Sequence, residues 1–125
     1  MAFSKLINLL KQLISALEAR TGKSFVLKCL IAKDAEDISW ELVLFAPWLD
    51  ADETKRVNFI YENIVSKLDS SVIIDFSGVI PLIQENDMVK SLMAAKNCVT
   101  SKVIIDNESI YSVNYPFAKM VIFLD

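Results

Sequence analysis

The spacing of the apolar residues changes abruptly at residues 20–24, and this change is what most constrains the fold. Up to residue 20, apolar side chains recur every three or four positions, which places them on one face of a helix. They are Phe3, Leu6, Ile7, Leu10, Leu13, Ile14 and Leu17. From residue 25 the apolar residues alternate with a period of two, which is typical of strands. The sequence therefore predicts a helix that ends near Gly22 and a strand that follows directly.

Residues 20–24 read Arg-Thr-Gly-Lys-Ser, and a Gly-Lys-Ser triplet also ends the nucleotide-binding P-loop. That loop requires a second glycine five positions before the first residue of the triplet, where this chain has Leu17. The order of elements is also inverted, since a P-loop leaves a strand and opens a helix. Gly22 is therefore predicted to be a left-handed C-cap of the first helix, without a phosphate site.

Two segments with a period of two, residues 24–33 and 38–46, flank the polar loop Asp-Ala-Glu-Asp and predict a β-hairpin. If the residues on either side of this loop pair with each other, one face of the hairpin is entirely apolar. That face comprises Phe25, Leu27, Cys29, Ile31, Trp40, Leu42, Leu44 and Ala46. The same register makes Lys28 and Glu41 diagonal neighbours and predicts a cross-strand ion pair.

The rest of the chain continues the alternation of helices and strands. The predicted elements are a helix at 50–68, a strand at 71–76, a short helix at 87–96, and strands at 98–105 and 110–124. Asp50 and Glu53 form a capping-box pattern at the start of the second helix, and Asn86 or Asp87 caps the third. Pro116 interrupts the last strand, which implies an edge, a bulge or a bend.

The order α-β-β-α-β-α-β-β predicts a single α+β domain over residues 1–125, a length that suits one domain. We expect a mostly antiparallel sheet of about five strands with helices packed on one face. The final segment, 117–124, is apolar at nearly every position, which is typical of a strand covered on both faces. Three helices leave part of such a sheet open, so another protein or a second copy of the chain is expected to cover it.

Composition excludes several kinds of site. The chain has no histidine, which removes Ser-His and Cys-His nucleophiles and histidine metal ligands. Cys29 and Cys98 are too few for a cysteine-only zinc site and are predicted to be reduced thiols of a cytoplasmic protein. With only two glycines, the chain lacks the Gly-rich turn of a dinucleotide site. We therefore predict no cofactor and no metal.

Charge and hydropathy narrow the choice of partner. A net charge of −3 is opposite to the basic surface that nucleic acid requires. Charged residues interrupt the apolar N-terminal segment, so it resembles neither a signal peptide nor a membrane span. The sequence predicts neither a nucleic-acid partner nor a membrane partner.

Carboxylates are the remaining candidates for catalysis. Most of them lie in loops or first helical turns, where acidic residues cap helices and form turns. Asp75 is the exception, because it lies near the end of the predicted strand at 71–76. It is the one candidate functional acid, and the alternative is an acid on the more solvated face of the sheet.

The corner between the second strand and the second helix is the candidate partner-binding site. It brings together Trp48, Asp50, Asp52 and Arg56, and tryptophan and arginine are frequent in interface hot spots. In the alternative interpretation Trp48 packs on the helix that it precedes, and Arg56 pairs with Asp52 one helical turn away.

Two functions remain. The first is an interaction protein without catalysis of its own: a subunit, an adaptor, or an inhibitor of the immunity or antitoxin kind. The second is a small ligand-binding or hydrolytic domain that uses carboxylates and tyrosines in a pocket between sheet and helices. The missing catalytic residue types and the hydrophobic fraction of 54% favour the first.

Overall fold

Helices and strands alternate along the chain in the computed structural model, which describes residues 2–34, 39–97, 102–105, 108–115 and 118–125. The elements are α1 (Ala2–Thr21), β1 (Leu27–Ala32), β2 (Trp40–Phe45), α2 (Glu53–Asn63), α3 (Ser70–Ile73), β3 (Phe76–Leu82), α4 (Asp87–Lys96), β4 (Lys102–Ile105), β5 (Glu108–Tyr115) and β6 (Ala118–Phe123). A 3₁₀ turn, Val65–Lys67, lies between α2 and α3. Across these ranges, none of the helices has both the length and the apolarity that crossing a bilayer requires.

One sheet organises the fold, with the strand order β3-β2-β1-β6-β5-β4. β2 and β3 are parallel, and the other pairs are antiparallel. The predicted α+β class, element order and mostly antiparallel sheet are therefore confirmed. The described ranges contribute six strands to the sheet, because the predicted last strand is two paired strands, β5 and β6. The predicted interruption at Pro116 lies between them, outside the described residues.

Helices cover both faces of the sheet, whereas the prediction placed them on one. Apolar residues of α1, α2 and α3 pack with Leu30, Leu42, Leu44 and Ile122 on the first face. Val89 and Leu92 of α4 pack with Leu27, Cys29, Val43 and Val121 on the second. Residues of β6 therefore pack against helices of the same chain on both faces of the sheet.

The hairpin register differs from the predicted one by one residue. Cys29 lies opposite Val43, so the odd-numbered residues of β1 pair with the odd-numbered residues of β2. A shift of one residue moves every side chain of one strand to the other face. The predicted apolar face is therefore wrong: Leu27 and Ile31 face α4, while Trp40 and Leu42 face the other helices. Both faces are apolar, which is why both need a helix.

The charged residues of the hairpin also have other partners than predicted. Lys28 Nζ lies 2.9 Å from Glu18 Oε1 in α1, and Lys33 Nζ lies 3.3 Å from Glu41 Oε1. The predicted Lys28–Glu41 pair is therefore wrong. The Lys28–Glu18 pair instead ties the end of α1 to β1.

The predicted strand at 71–76 is also wrong. Asp69 caps the short helix α3 by accepting the backbone N–H of Ser71 at 3.0 Å, and β3 begins only at Phe76. The strand then continues through a segment that the sequence presents as a connection, including Gly78 and Pro81. Proline is tolerated there because β3 is an edge strand, and Gly78 has a φ of 151° that glycine accommodates.

Cys29 is a free thiol in the buried part of β1. Its pKa is raised to about 12, chiefly by burial and also by the nearby Asp125 carboxylate, while Lys96 acts in the opposite direction. In a Cys98→Ser variant we therefore expect the native protein not to react with a thiol reagent at about pH 8, where an exposed cysteine is partly ionised. Absorbance of the released chromophore should show full reaction only in guanidinium chloride. Rapid labelling of the native variant would contradict this placement.

Candidate functional site

The joint between α1 and β1 is held by one carboxylate. Gly22 has a φ of 69° and donates its backbone N–H to the Glu18 carbonyl at 2.9 Å, which confirms the predicted C-cap. The Glu18 side chain accepts the backbone N–H of Phe25 at 2.8 Å and also binds Lys28. The Gly-Lys-Ser triplet is thus a rigid helix-to-strand joint, and its amides do not form a phosphate cradle ahead of a helix.

Trp48 joins this segment to α2. Its indole Nε1 donates to the Ser24 carbonyl at 2.9 Å, and its ring centroid lies 5.0 Å from that of Phe25. On the other side, the Phe59 ring of α2 meets it edge-on at 6.2 Å. Trp48 therefore packs on the helix that it precedes, as the alternative interpretation predicted. It is only half-buried, so part of the ring stays accessible.

A cleft of about 560 Å³ lies at this junction. We call it the corner cleft. Its lining residues are Thr21, Lys23, Trp48, Leu49, Asp50, Lys55 and Phe59. Trp48, Leu49 and Phe59 give it an apolar floor, and the charged residues form an exposed rim. Its volume falls within the range of about 300–1,000 Å³ that is usual for binding pockets.

The rim lysines, like Lys67 and Lys90, lack the carboxylate partners that five other lysines have in the described part of the chain. Lys5, Lys11, Lys28, Lys33 and Lys96 each lie within ion-pair distance of a carboxylate. Within the described ranges, Lys23 and Lys55 have no such partner. The Lys23 ammonium instead lies 5.8 Å from the centroid of the Trp48 ring. The corner cleft thus combines exposed aromatic surface with uncompensated positive charge.

The four predicted partner-binding residues divide into two pairs. Trp48 and Asp50 line the corner cleft. Asp52 is the N-cap of α2 and accepts the backbone N–H of Lys55 at 3.0 Å, so the predicted cap at Asp50 is displaced by two residues. Asp50 instead accepts the backbone N–H of Asp52 at 2.8 Å. Asp52 therefore shapes the corner and lies outside the lining of the cleft.

Arg56 also holds the corner together. Its Nε donates to the Pro81 carbonyl at 3.0 Å, and its Nη1 donates to the carbonyls of Asp50 and Ala51 at 2.9 and 3.3 Å. These three bonds join α2, the corner loop and β3, in place of the predicted ion pair with Asp52. Arg56 is a positioning residue for the rim of the cleft.

Arg56→Lys should therefore lower the free energy of unfolding by about 1–2 kcal/mol, because an ammonium group cannot reproduce the forked geometry of three bonds. Urea denaturation followed by circular dichroism measures this loss. The control is Arg20→Lys, where an exposed guanidinium makes one bond of 2.7 Å to Asn63 and the expected change is below about 0.5 kcal/mol. Equal losses in the two variants would contradict the role given to Arg56.

Lys23, Lys55 and Phe59 are among the cleft residues that the sequence analysis did not single out. Lys55 and Phe59 are four residues apart on α2 and share one face of the helix, a pattern that the sequence does contain. Lys23 lies in the α1–β1 joint, far from both residues in the sequence, and the fold brings it into the same cleft.

Asp75 lies in the turn between α3 and β3, directly before the first residue of β3. The predicted strand at 71–76, near whose end it was placed, is not formed. The Asp75 backbone carbonyl accepts the N–H of Trp40 at 2.8 Å, which helps align β2 with β3. Its side chain is half-buried. In the described ranges, no group of three or more cysteine and acidic residues is arranged to hold a metal ion. A functional role for the Asp75 carboxylate stays a prediction.

A serine, an aspartate and a lysine meet where α1 passes α3. The Ser71 hydroxyl donates to the Asp69 carboxylate, and Lys5 Nζ donates to Ser71 Oγ at 2.7 Å. The bond from Ser71 and the positive charge of Lys5 hold the pKa of Asp69 below its usual value. A carboxylate with a lowered pKa is a weak base, and a lysine that donates to the hydroxyl oxygen is not oriented to accept its proton. This arrangement caps α3 and does not activate Ser71.

Comparison of the chain with models of protein families, with curated proteins and with solved structures gives no match. The corner cleft itself is therefore the basis for a functional proposal.

Proposed function

We propose that the protein is a small acidic interaction module that binds a partner protein through the corner cleft and carries out no chemistry of its own. The observation that carries this proposal is the half-buried Trp48, set against Phe59 and flanked by two lysines that have no carboxylate partner among the described residues. Aromatic residues in a pocket that excludes water dominate the energetics of many interfaces. A subunit, an adaptor or an inhibitor of the immunity or antitoxin kind would use such a surface.

The ligand-binding or hydrolytic alternative finds less support. A second cavity of about 400 Å³ does combine carboxylates with a tyrosine; its lining includes Lys11, Lys96, Glu108, Tyr111 and Asp125. However, Lys11 lies 3.9 Å from Glu108, and Lys96 pairs with Asp125. The charges there neutralise each other, which leaves little for a ligand to bind.

The partner that we propose is another protein, in the cytoplasm. The buried free thiol Cys29 is compatible with a reducing compartment. A second copy of the chain is the weaker choice, because α4 already covers the sheet face that a copy was expected to cover.

The experiment compares two charge reversals. The partner is captured from the native source with the wild-type protein, purified, and titrated against Lys55→Glu and Lys90→Glu by calorimetry. Lys55 and Lys90 are both exposed near the start of a helix, but α4 lies on the opposite face of the sheet. A glutamate at position 55 suits the positive end of α2, so the variant should remain folded.

We expect Lys55→Glu to weaken binding about five- to tenfold and Lys90→Glu to change it less than twofold. Equal affinities of both variants and the wild type would place the partner elsewhere and contradict the proposal. Failure to capture any partner would count against an interaction function altogether.

A further inference from the structure

We infer that the corner cleft recognises a short acidic segment of the partner, in which an aromatic or branched apolar side chain is flanked by carboxylates. The apolar side chain lies on Trp48 and Phe59, and the carboxylates face Lys23 and Lys55. This inference rests on the proposed function and specifies the chemistry of the partner.

The floor of the cleft is preorganised for an apolar side chain. The Trp48 indole is fixed at one end by its hydrogen bond to Ser24 and is held between Phe25 and Phe59. The Trp48 and Phe59 rings stand at 89° to each other and form an angular recess beside the buried Leu49. A recess of fixed shape loses little conformational entropy when it is filled.

The rim of the cleft is complementary to carboxylates. The protein as a whole carries a net charge of −3, yet the two lysines on the rim lack carboxylate partners among the described residues. Lys23 lies over the Trp48 ring, a contact that leaves its charge free to bind an anion. The negative net charge disfavours an acidic segment on the surface as a whole, whereas the two rim lysines attract it here.

Asp50 gives the segment a direction. One oxygen of its carboxylate accepts the backbone N–H of Asp52, and the carboxylate lies on the rim of the cleft. A carboxylate of the partner is therefore disfavoured beside Asp50 and favoured beside Lys23 and Lys55. The lysines come from different elements, the α1–β1 joint and α2, so a linear segment that crosses the cleft can reach both.

The test is a peptide-display selection against the immobilised wild-type protein and against the double variant Lys23→Glu/Lys55→Glu. The wild type should enrich peptides with Asp or Glu beside an aromatic or branched apolar residue. The double variant should enrich Lys or Arg at the same positions, and it should bind the best wild-type peptide at least about tenfold more weakly. Lys90→Glu should select the same peptides as the wild type.

Binding at the cleft is confirmed by NMR, through a shift of the Trp48 indole N–H resonance when a selected peptide is added. Thermal unfolding checks that the double variant is folded; if it is less stable, Lys55→Glu alone repeats the comparison with the joint intact. The affinity of indole-3-acetate, a small aromatic carboxylate, is measured beside that of the peptides to show whether one ring and one carboxylate are enough for binding.

The inference is overturned if the wild-type peptides show no acidic enrichment, or if both proteins select the same peptides. It is also overturned if the peptides leave the Trp48 resonance unshifted, or if indole-3-acetate binds as tightly as the peptides do. These outcomes leave the proposed interaction function standing. That function fails separately, when Lys55→Glu binds the captured partner with wild-type affinity.

Discussion

Trp48→Ala should weaken binding of the partner at least about 30-fold, which corresponds to the loss of about 2 kcal/mol that defines a hot-spot residue. The substitution removes the floor of the corner cleft and the side chain that spans from Phe25 to Phe59. It should also lower the free energy of unfolding by about 2–3 kcal/mol, less than for a fully buried tryptophan, because Trp48 is half-buried. Calorimetry with the captured partner and urea denaturation measure the two effects.

The matched control is Trp48→Phe, which keeps an aromatic ring in the recess and loses only the indole hydrogen bond to Ser24. We expect it to cost about 1 kcal/mol of stability and to weaken binding less than tenfold. Circular dichroism at the temperature of the titration shows whether each variant is folded. A folded Trp48→Ala protein that binds the partner as the wild type does would remove Trp48 from the interface.

The second large effect is expected at the opposite face of the sheet. Leu92 of α4 is fully buried against the core that includes Cys29 and Val121. Leu92→Ala should lower the free energy of unfolding by about 2–5 kcal/mol, the cost of lost transfer energy and of the cavity that remains. Urea denaturation measures it, with the exposed Lys90→Ala on the same helix as the control, where we expect less than about 0.5 kcal/mol.

A loss at Leu92 no larger than at Lys90 would mean that α4 does not seal the second face. Another element would then have to pack on the apolar residues of β1 and β6, and we would again expect a second copy of the chain there. Sedimentation of the wild-type protein would show such an assembly directly.

Local signals in the sequence predicted local structure well. The change of hydrophobic period predicted the C-cap at Gly22, and Asn86 caps α4 by accepting the backbone N–H of Val89 at 2.9 Å, as one of the two predicted caps. The run Val72–Ile74 favours a strand by intrinsic propensity, but Val72 and Ile73 are helical. The local cap at Asp69 and the burial of Val72 together outweigh the strand propensity there.

The hairpin register shows a second limit. Both strands are apolar on both sides, so the pattern does not distinguish one register from its neighbour. With the register off by one, the faces were assigned wrongly, and the need for a helix on each face was missed. The sequence therefore predicted the α+β class and the order of the elements, but not the placement of helices on both faces of the sheet.

The candidate site was predicted only in part, because some of its residues are distant from the others in the sequence. Trp48 stands out because tryptophan is frequent in interface hot spots. The other residues of the corner, Asp50, Asp52 and Arg56, lie close to it in the sequence. Lys23 lies in residues 20–24, which are distant in sequence and are interpreted from the sequence only as the end of a helix. The joint does end a helix and start a strand, but it also delivers a lysine to the rim of the cleft.

The most direct measurement of whether a partner occupies the corner cleft is site-specific photo-cross-linking in the native source. A photoreactive residue replaces either Lys55 on the rim or Lys90 on α4. The account predicts that position 55 forms a covalent adduct with one partner protein and that position 90 forms none with it. An adduct with that partner from position 90, or none from position 55, would contradict the account.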